Sequence, residues 1–403
     1  MNARELRLPR RRRQAPPALL FFVAGAVIFF DTVFYAAVVP LLPSLTHQLH
    51  LSKASAGVLT AGYAAGTLIG SLPGGYLAQH AGPRVTLCTG LALMGSASLA
   101  FGLLDNVVLL DAARFLQGLG GACTWAGSMF WVILETPVHR RGSAIGGTLA
   151  AGIAGALFGP VVGTLAHALG RGPVFSAVVV VAAGLTTAVL ILPRPPKPEP
   201  PQGSASLGRH LCRPDIALGM WLVAIPAAAS GTINVLGPLR LGQLGAGAAA
   251  IGATFLVAAG IEATVSPVVG KVSDRRGRMF PLRIGLGAAS VALLLFTLPN
   301  SALLLAVVIV LETVALGAFW APAMAMLSDS ADSHGMSQGY ALALVNFAWA
   351  AGQITGAAGG GALAKAAGDG APFAFAAALC AVTLGVVVLR SDMKSAPPTR
   401  RAI

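Results

Sequence analysis

GYLAQHAGPRVTL, residues 75–87, and GKVSDRRGRM, residues 270–279, are two copies of one pattern, and this pair decides the fold. In each copy a glycine is followed four residues later by Gln or Asp and three residues after that by a second glycine, at Gly75, Gln79 and Gly82 and at Gly270, Asp274 and Gly277. The copies lie about half the chain length apart, and self-similarity at a fixed distance indicates an internal repeat.

The composition excludes a soluble globular protein and a disordered one. Of the 403 residues 56% are hydrophobic and only 10% are charged, and the mean hydropathy is +0.77. A soluble domain carries roughly 25% charged residues, and a disordered chain is poor in hydrophobic residues and rich in charge. Most of this chain is therefore predicted to lie in a bilayer.

Apolar runs between charges, prolines and glycines predict twelve membrane-spanning helices. Such a helix needs about 20 mostly apolar residues, and strands of a membrane barrel are much shorter. The runs cover about 18–42, 56–78, 85–104, 107–133, 143–168, 173–192, 215–237, 248–270, 281–298, 302–326, 338–364 and 371–389. The predicted fold class is an all-α membrane protein.

A second pair of patterns, at almost the same separation, supports the repeat. Three glycines at four-residue spacing occur as Gly155, Gly159 and Gly163 and again as Gly352, Gly356 and Gly360. Small residues at this spacing let membrane helices approach closely. Because each half has an even number of helices, both halves begin on the same side of the membrane. The halves are therefore predicted to be parallel repeats about an axis along the membrane normal.

The stretch PRPPKPEPP, residues 193–201, cannot be helical and reads as a linker between the two halves. The predicted organisation is a basic cytoplasmic arm over 1–17, a six-helix bundle over 18–192, a cytoplasmic linker over 193–213, a second six-helix bundle over 214–390 and a cytoplasmic tail over 391–403.

The basic residues predict the orientation in the membrane. The chain has 27 Lys and Arg against 14 Asp and Glu, a net charge of +13. With both termini in the cytoplasm, the loops on the opposite side hold only Lys53, Arg171, Arg240 and Lys365. Because basic residues accumulate in cytoplasmic loops, we expect a multi-pass protein of the cell (inner) membrane. This distribution also explains the positive charge without a nucleic-acid partner.

Three acids lie near the middle of predicted spans, Asp31 in the first and Glu262 and Glu312 in the eighth and tenth. A charge at the centre of a span costs about 2.5–3.5 kcal/mol, so such residues face the bundle interior and suggest function. A carboxyl group removed from water takes up a proton more readily. Asp31 is therefore interpreted as binding a cationic substrate or a proton in alternation. The alternative is a fixed partner in a structural polar network.

Arg114 is the one Lys or Arg well inside a predicted span, because Arg283 stands at the very start of the ninth. One interpretation is an ion pair with Asp111, which precedes it by three residues on the same helix. The other, implied by the family resemblance given below, is a role in proton coupling or substrate binding.

At the quoted motifs the chain resembles the major facilitator superfamily over essentially its full length. The two repeated motifs resemble the family signature after helix 2 and its second-half copy. RFLQGLGGA, residues 114–122, is similar to the helix-4 motif, and GALFGPVVG, residues 155–163, to the helix-5 motif of drug/proton antiporters. FFDTVFYAAVVPLLPSL, residues 29–45, is similar to the first helix of multidrug exporters and vesicular amine transporters.

The resemblance implies the major facilitator fold and a monomeric transporter that works by alternating access. Its partners would be a small-molecule substrate and membrane lipids, its coupling ion a proton, and it would need no cofactor or metal. Export of small amphipathic or cationic compounds is the function implied. The substrate- or proton-binding residues then expected are Asp31, Tyr35, Arg114, Glu262, Glu312 and Asn346.

The motif residues are expected to act in gating and helix packing: Gly75, Gln79, Gly82, Arg84, Gly155, Gly159, Pro160, Gly163, Gly270, Asp274 and Gly277. The sequence departs from the family pattern at Gln79, where the family usually has Asp, and at His80, where it usually has a basic residue. Asn346 lies near the position of an acid in amine transporters.

No catalytic motif occurs: the sequence has no GxSxG, no HExxH and no lysine after a phosphate-binding glycine loop. We therefore expect no enzyme and no ATP-driven pump. Two other functions are compatible with the pattern. One is export or facilitated diffusion of a sugar, organic acid or other metabolite. The other is a non-transporting membrane receptor on the same scaffold.

Overall fold

A computed structural model of the chain describes residues 17–137, 141–193, 213–334, 336 and 338–395, and these parts contain helices and no strands. Most of the predicted arm, most of the linker and the end of the predicted tail lie outside the described residues. The last helix continues to Ser395, so it extends past the expected end of the second bundle at residue 390.

The first pass through the bundle is a broken helix. Helix α1 covers Pro17–Ala36, a 3-10 turn covers Val39–Leu41, and α2 covers Leu42–Gln48. Pro40 and Pro43 lack the amide hydrogen that a continuous helix would need, and this accounts for the break. The pass is therefore longer than the run predicted over 18–42.

The other helices of the first half are α3 (Lys53–His80), α4 (Pro83–Leu103), α5 (Val107–Glu135), α6 (Arg141–Leu169) and α7 (Arg171–Ile191). Those of the second half are α8 (Pro214–Gln243), α9 (Ala248–Arg276), α10 (Met279–Leu295), α11 (Ala302–Ser333), α12 (Gln338–Ile354), α13 (Gly360–Ala367) and α14 (Gly370–Ser395). A π-helical segment, Thr355–Gly359, joins α12 to α13.

The described helices make twelve passes, with α1 and α2 forming one and α12, the π segment and α13 forming another. Eight helical stretches are long and apolar enough to cross a membrane by length and composition, and α10 is apolar but shorter. Helices α3 and α5 are outside that group, and both bury many glycines, threonines and other polar residues within the bundle. The twelve-helix prediction is confirmed.

The last glycine of each repeated motif makes the turn into the next helix. Gly82 has a φ angle of +90° and Gly277 one of +84°, a region that side chains disfavour. These two glycines stand directly between α3 and α4 and between α9 and α10. The positive φ angle at this turn thus explains why the repeated pattern ends in glycine.

The second glycine repeat packs one helix against another in each half. A Cβ atom on Gly155 or Gly163 in α6 would overlap the carbonyl oxygens of Phe29 or Ala37 near α1. In the second half, a Cβ atom on Gly352 or Gly356 would overlap carbonyl oxygens of α8. The pair α6 and α1 therefore corresponds to the pair α12 and α8, as expected for a duplicated unit.

The halves contact each other along two seams, α3 against α12 and α13, and α6 against α9. Lys53 forms an ion pair with Asp369 across the first seam. In the second seam a Cβ atom on Gly252 would overlap the Thr164 hydroxyl. We call the end of the bundle with Lys53 and Asp369 the closed end, and the end with Gly82 and Gly277 the motif end.

The glycines of the two repeated motifs make no close contacts at the motif end. No atom outside the immediate neighbourhood lies within 4 Å of the Cβ positions of Gly75, Gly82, Gly270 or Gly277. The described structure therefore joins the two halves at the closed end, while the motif glycines are not packed against other helices.

Candidate functional site

Asp31 is buried in α1, with 1% of its surface exposed. Its Oδ2 atom accepts two hydrogen bonds, from the Tyr63 hydroxyl at 2.7 Å and from the Trp125 indole nitrogen at 3.0 Å. Its Oδ1 atom is also buried and has no hydrogen-bond partner among the described residues. One oxygen of the carboxyl group thus accepts two hydrogen bonds, and the other accepts none from the described residues.

Glycines place α3 and α5 close enough for these contacts. A Cβ atom on Gly66 or Gly118 would overlap the backbone of the opposite helix. A Cβ atom on Gly121 would overlap the Tyr63 hydroxyl and lie 3.0 Å from Oδ1 of Asp31. Only glycine at position 121 leaves space for the carboxyl group and the phenol together.

Arg114 is also buried, with 1% of its surface exposed, and it lies on α5 beside the end of α1. Its guanidinium donates to the Gln117 side chain at 2.7 Å and to the carbonyl oxygens of Phe34 at 3.4 Å and Tyr35 at 3.2 Å. The last carbonyls of a helix lack partners within it and attract a cation. Arg114 therefore caps the C-terminal end of α1.

The ion pair between Arg114 and Asp111 is not formed in the described structure, and the Oδ1 atom of Asp111 has no hydrogen-bond partner there. Arg114 instead lies over the Tyr63 ring, with 5.4 Å between its guanidinium carbon and the ring centroid. The network continues through Gln117, which donates to the Ser98 hydroxyl of α4 at 2.7 Å. Arg114 thus lies against Tyr63, which also contacts Asp31, and its role in proton coupling or substrate binding stays a prediction.

Tyr35 connects this group to the second half of the chain. Its ring centroid lies 4.8 Å from that of Tyr63 and 5.7 Å from that of Trp349 on α12. The Asn234 side chain of α8 lies against its phenol group. We call Asp31, Tyr35, Tyr63, Arg114 and Trp125 the α1 site, and it extends from the interior of the first bundle to the boundary between the bundles.

The other predicted residues lie outside the α1 site. Glu312 on α11 is fully buried, and neither of its carboxyl oxygens has a partner among the described residues. Glu262 on α9 is half-buried and packs against α11, where a Cβ atom on Gly317 would lie 2.8 Å from its Oε1. Asn346 is half-buried on α12, one helical turn before Trp349.

Tyr63 of the α1 site and Gln117, which bonds to Arg114, were not predicted from the sequence. Trp125 was not distinguished from the other aromatic residues. Tyr63 is a polar aromatic residue between Gly62 and Gly66 in an apolar run. Glycines on both sides indicate close packing of a neighbouring helix around the residue between them, and this was the available signal.

The two copies of the signature motif differ in their contacts. Arg278 donates to Asp274 at 2.9 Å and to Asp329 of α11 at 3.3 Å. In the first copy, Gln79 makes no side-chain hydrogen bond and the Nε atom of Arg84 has no partner within the described ranges. The first copy, in which Gln79 stands where the family usually has Asp, thus forms no ion pair among the described residues, whereas the second copy does.

No group of three or more His, Cys, Asp or Glu residues with the geometry of a metal site occurs in the part of the chain that the structure describes. The chemistry available at the α1 site is therefore that of a carboxyl group, a guanidinium and aromatic rings. Such a set can bind or release a proton and can bind a cation through the carboxylate and the ring faces.

Comparison with known proteins supports a membrane-transport fold. The family model described as Major Facilitator Superfamily matches residues 21–337 and 220–402. Multidrug resistance protein 1 of Bacillus subtilis (strain 168) is 28% identical over 159 residues, 39% of this chain and 41% of that protein. Quinolone resistance protein NorA of Staphylococcus aureus (strain MRSA252) is 28% identical over 126 residues, 31% of this chain and 32% of that protein. This chain therefore aligns with less than half the length of either relative.

Solved structures resemble the chain over most of its length. A bacterial homolog of the human lysosomal transporter Spinster, in an inward-facing and occupied conformation, has a TM-score of 0.75 and 14% identity, and the match covers 95% of this chain and 99% of that one. A D-xylose–proton symporter has a TM-score of 0.71 and 17% identity, with 92% and 96% covered. At these identities the likeness concerns the fold alone.

Proposed function

Because the chain belongs to the Major Facilitator Superfamily, and is thus a membrane transporter and not an enzyme, we propose that it is a proton-coupled antiporter. It exports small amphipathic or cationic compounds across the cell membrane by alternating access of the α1 site. The observation that carries this proposal is Asp31, a carboxyl group in the interior of the first bundle with one bonded and one free oxygen.

The surroundings of Asp31 suit reversible protonation. Burial away from water disfavours the charged carboxylate, whereas hydrogen-bond donors and a nearby cation favour it. Tyr63 and Trp125 supply the donors, and Arg114 lies close enough to act electrostatically on the carboxylate. These opposing effects let a modest change in the surroundings decide between the protonated and ionised forms.

The substrate-binding part of the proposal rests on the aromatic residues at the bundle boundary. Tyr35 and Trp349 belong to different bundles and their rings are in contact. Ring faces attract cations, and a cation bound there would lie one helical turn from Asp31 along α1. Glu262 and Glu312 are proposed as accessory acids of the second bundle, and Asn346 as a polar neighbour of Trp349.

Alternating access is supported by the unequal ends of the bundle. The halves are joined at the closed end by Lys53 and Asp369, and the loops at the motif end carry most of the basic residues outside the termini. By the distribution of positive charge, the motif end and both termini are cytoplasmic and the closed end faces outward. The described state is then closed to the outside.

The names of the relatives suggest the substrate class. Two of them are a multidrug resistance protein and a quinolone resistance protein. We propose substrates of the same class for this chain. Amphipathic cations also match an interior site with a carboxylate and aromatic rings. A sugar or another metabolite, and a receptor without transport, are the competing functions, and flux measurements separate all three.

The test uses the full-length protein in proteoliposomes with ethidium, a fluorescent aromatic cation, and an imposed pH gradient. We expect ethidium to move against its concentration gradient in the wild type, and Asp31→Asn to abolish this movement because the exchangeable proton is lost. Asp105→Asn is the control, because that carboxylate is 82% exposed and lies in a loop between α4 and α5. Gradient-driven flux of the wild-type size in Asp31→Asn would contradict the proposal.

A further inference from the structure

The two oxygens of the Asp31 carboxyl group have different surroundings. Both hydrogen bonds from side chains converge on Oδ2, at 2.7 Å from Tyr63 and 3.0 Å from Trp125. Oδ1 is equally buried but has no partner in the described residues. Gly121 of α5 lies beside this oxygen, since a Cβ atom at that position would be 3.0 Å from Oδ1.

The ionisable groups near Asp31 can be named for each helix that packs against α1. Helix α3 contributes Tyr63, and α5 contributes Arg114 together with the neutral Trp125. Helix α6 packs on α1 through glycines, and its ionisable residues, Arg141 and His167, stand at its two ends. Helices α4 and α7 touch α1 only slightly and place no acid or base beside Asp31 within the described ranges.

We propose that Tyr63 and Trp125 are positioning residues that hold Oδ2 of Asp31, so that Oδ1 is the atom that takes up and releases the transported proton. This inference rests on the proposed function. In the uptake step an O–H bond forms at Oδ1 with a proton from water that reaches the opened site. In the release step the same bond breaks and the proton returns to water, while both bonds to Oδ2 persist.

The assignment follows from the chemistry of the two donors. An indole N–H can only donate, so the oxygen it bonds must accept. Oδ2 already accepts from the indole and from the phenol, and a proton placed on it would compete with both donors. Oδ1 carries no such bond, so it can gain a proton without the loss of a hydrogen bond.

Both donors also stabilise the ionised form of Asp31. A hydrogen bond to a charged group contributes roughly tenfold or more to an equilibrium, which corresponds to about one pH unit. Loss of either donor should therefore move the midpoint of Asp31 deprotonation to higher pH. A residue that only filled space would leave that midpoint unchanged.

The experiment is an infrared titration of the full-length protein in proteoliposomes of phosphatidylethanolamine and phosphatidylglycerol, without any substrate. The carbonyl stretch of protonated Asp31 is identified as the band that Asp31→Asn lacks. We expect Tyr63→Phe and Trp125→Phe each to raise the midpoint of that band by about one pH unit, and the double variant to raise it further. The carbonyl frequency should rise in both, because a hydrogen bond to Oδ2 is lost.

Two matched variants serve as controls. Tyr76→Phe removes an exposed phenol from α3, the helix that also carries Tyr63. Trp221→Phe removes an indole of α8 that lies outside the α1 site and donates to Thr383 of α14 at 3.1 Å. Both should keep the wild-type midpoint. If Tyr63→Phe and Trp125→Phe also keep it while Asp31→Asn abolishes ethidium transport, the inference is wrong and the proposed function stands. If Asp31→Asn transports normally, the proposed function fails instead.

Discussion

At the scale of single residues, the α1 site combines groups that are costly to bury with neighbours that reduce the cost. Arg114 compensates for its burial by capping the open carbonyls at the end of α1 and by bonding to Gln117. Asp31 receives two donors. Glu312 has no such partners among the described residues, and a buried carboxyl group without partners is most stable in its neutral form.

Gly121 sets the space in which Asp31 and Tyr63 meet. We predict that Gly121→Ala displaces the Tyr63 hydroxyl from Asp31, because the added methyl group would overlap that hydroxyl and lie 3.0 Å from Oδ1. Gradient-driven ethidium transport should fall by about tenfold, the size expected when a hydrogen bond to a charged group is lost.

The control for this variant is Gly184→Ala on α7, where no atom lies within 4 Å of the Cβ position. It should transport normally. Equal transport by Gly121→Ala and Gly184→Ala would show that the close contact at position 121 has no role in the site.

The sequence was informative about the charged residues of the site and much less about their partners. The cost of a charge in a membrane made Asp31 and Arg114 stand out. Tyr63 and Trp125 are ordinary in an apolar helix, and their role depends on how α3 and α5 are rotated relative to α1. The tertiary packing fixes that rotation, and no pattern within one helix contains it.

At the scale of the helices, most passes could be predicted from length and composition because each must cross the same thickness of lipid. The break after Ala36 and the π segment Thr355–Gly359 could not be placed in this way. The first depends on two closely spaced prolines. The second occurs where Thr232 of α8 donates to the Gly356 carbonyl at 3.0 Å, a contact between distant parts of the chain.

The π segment offers a matched pair of glycines. A Cβ atom on Gly356 would overlap the backbone of α8 at Ala228, whereas the Cβ position of Gly359 has no atom within 4 Å. We predict that Gly356→Ala destabilises the protein by about 1–3 kcal/mol, the usual cost of overpacking, and that Gly359→Ala changes the stability little.

The measurement for this pair is the melting temperature of each purified variant in the same detergent. A clear decrease is expected for Gly356→Ala alone. Similar melting temperatures for both variants would mean that α12 and α8 do not rely on their close approach.

At the scale of the whole molecule, the duplication relates the two bundles but does not make them equivalent. The buried carboxylate with its two donors belongs to the first bundle, whereas the unpartnered Glu312 and the ion pairs of Arg278 belong to the second. The repeat was evident from the glycine motifs. The contact of the halves at the closed end was not, because Lys53 and Asp369 are far apart in sequence and neither lies in a motif.

The central claim, that Asp31 exchanges protons for a cation, is tested most directly by running the exchange in reverse. Proteoliposomes loaded with ethidium and a pH-sensitive dye are diluted into medium without ethidium and without an imposed pH gradient. The account predicts that the outward flow of ethidium drives protons inward and acidifies the lumen with the wild-type protein, and that Asp31→Asn produces no acidification. Ethidium efflux from wild-type vesicles without any change in luminal pH, or equal acidification in Asp31→Asn, would contradict it.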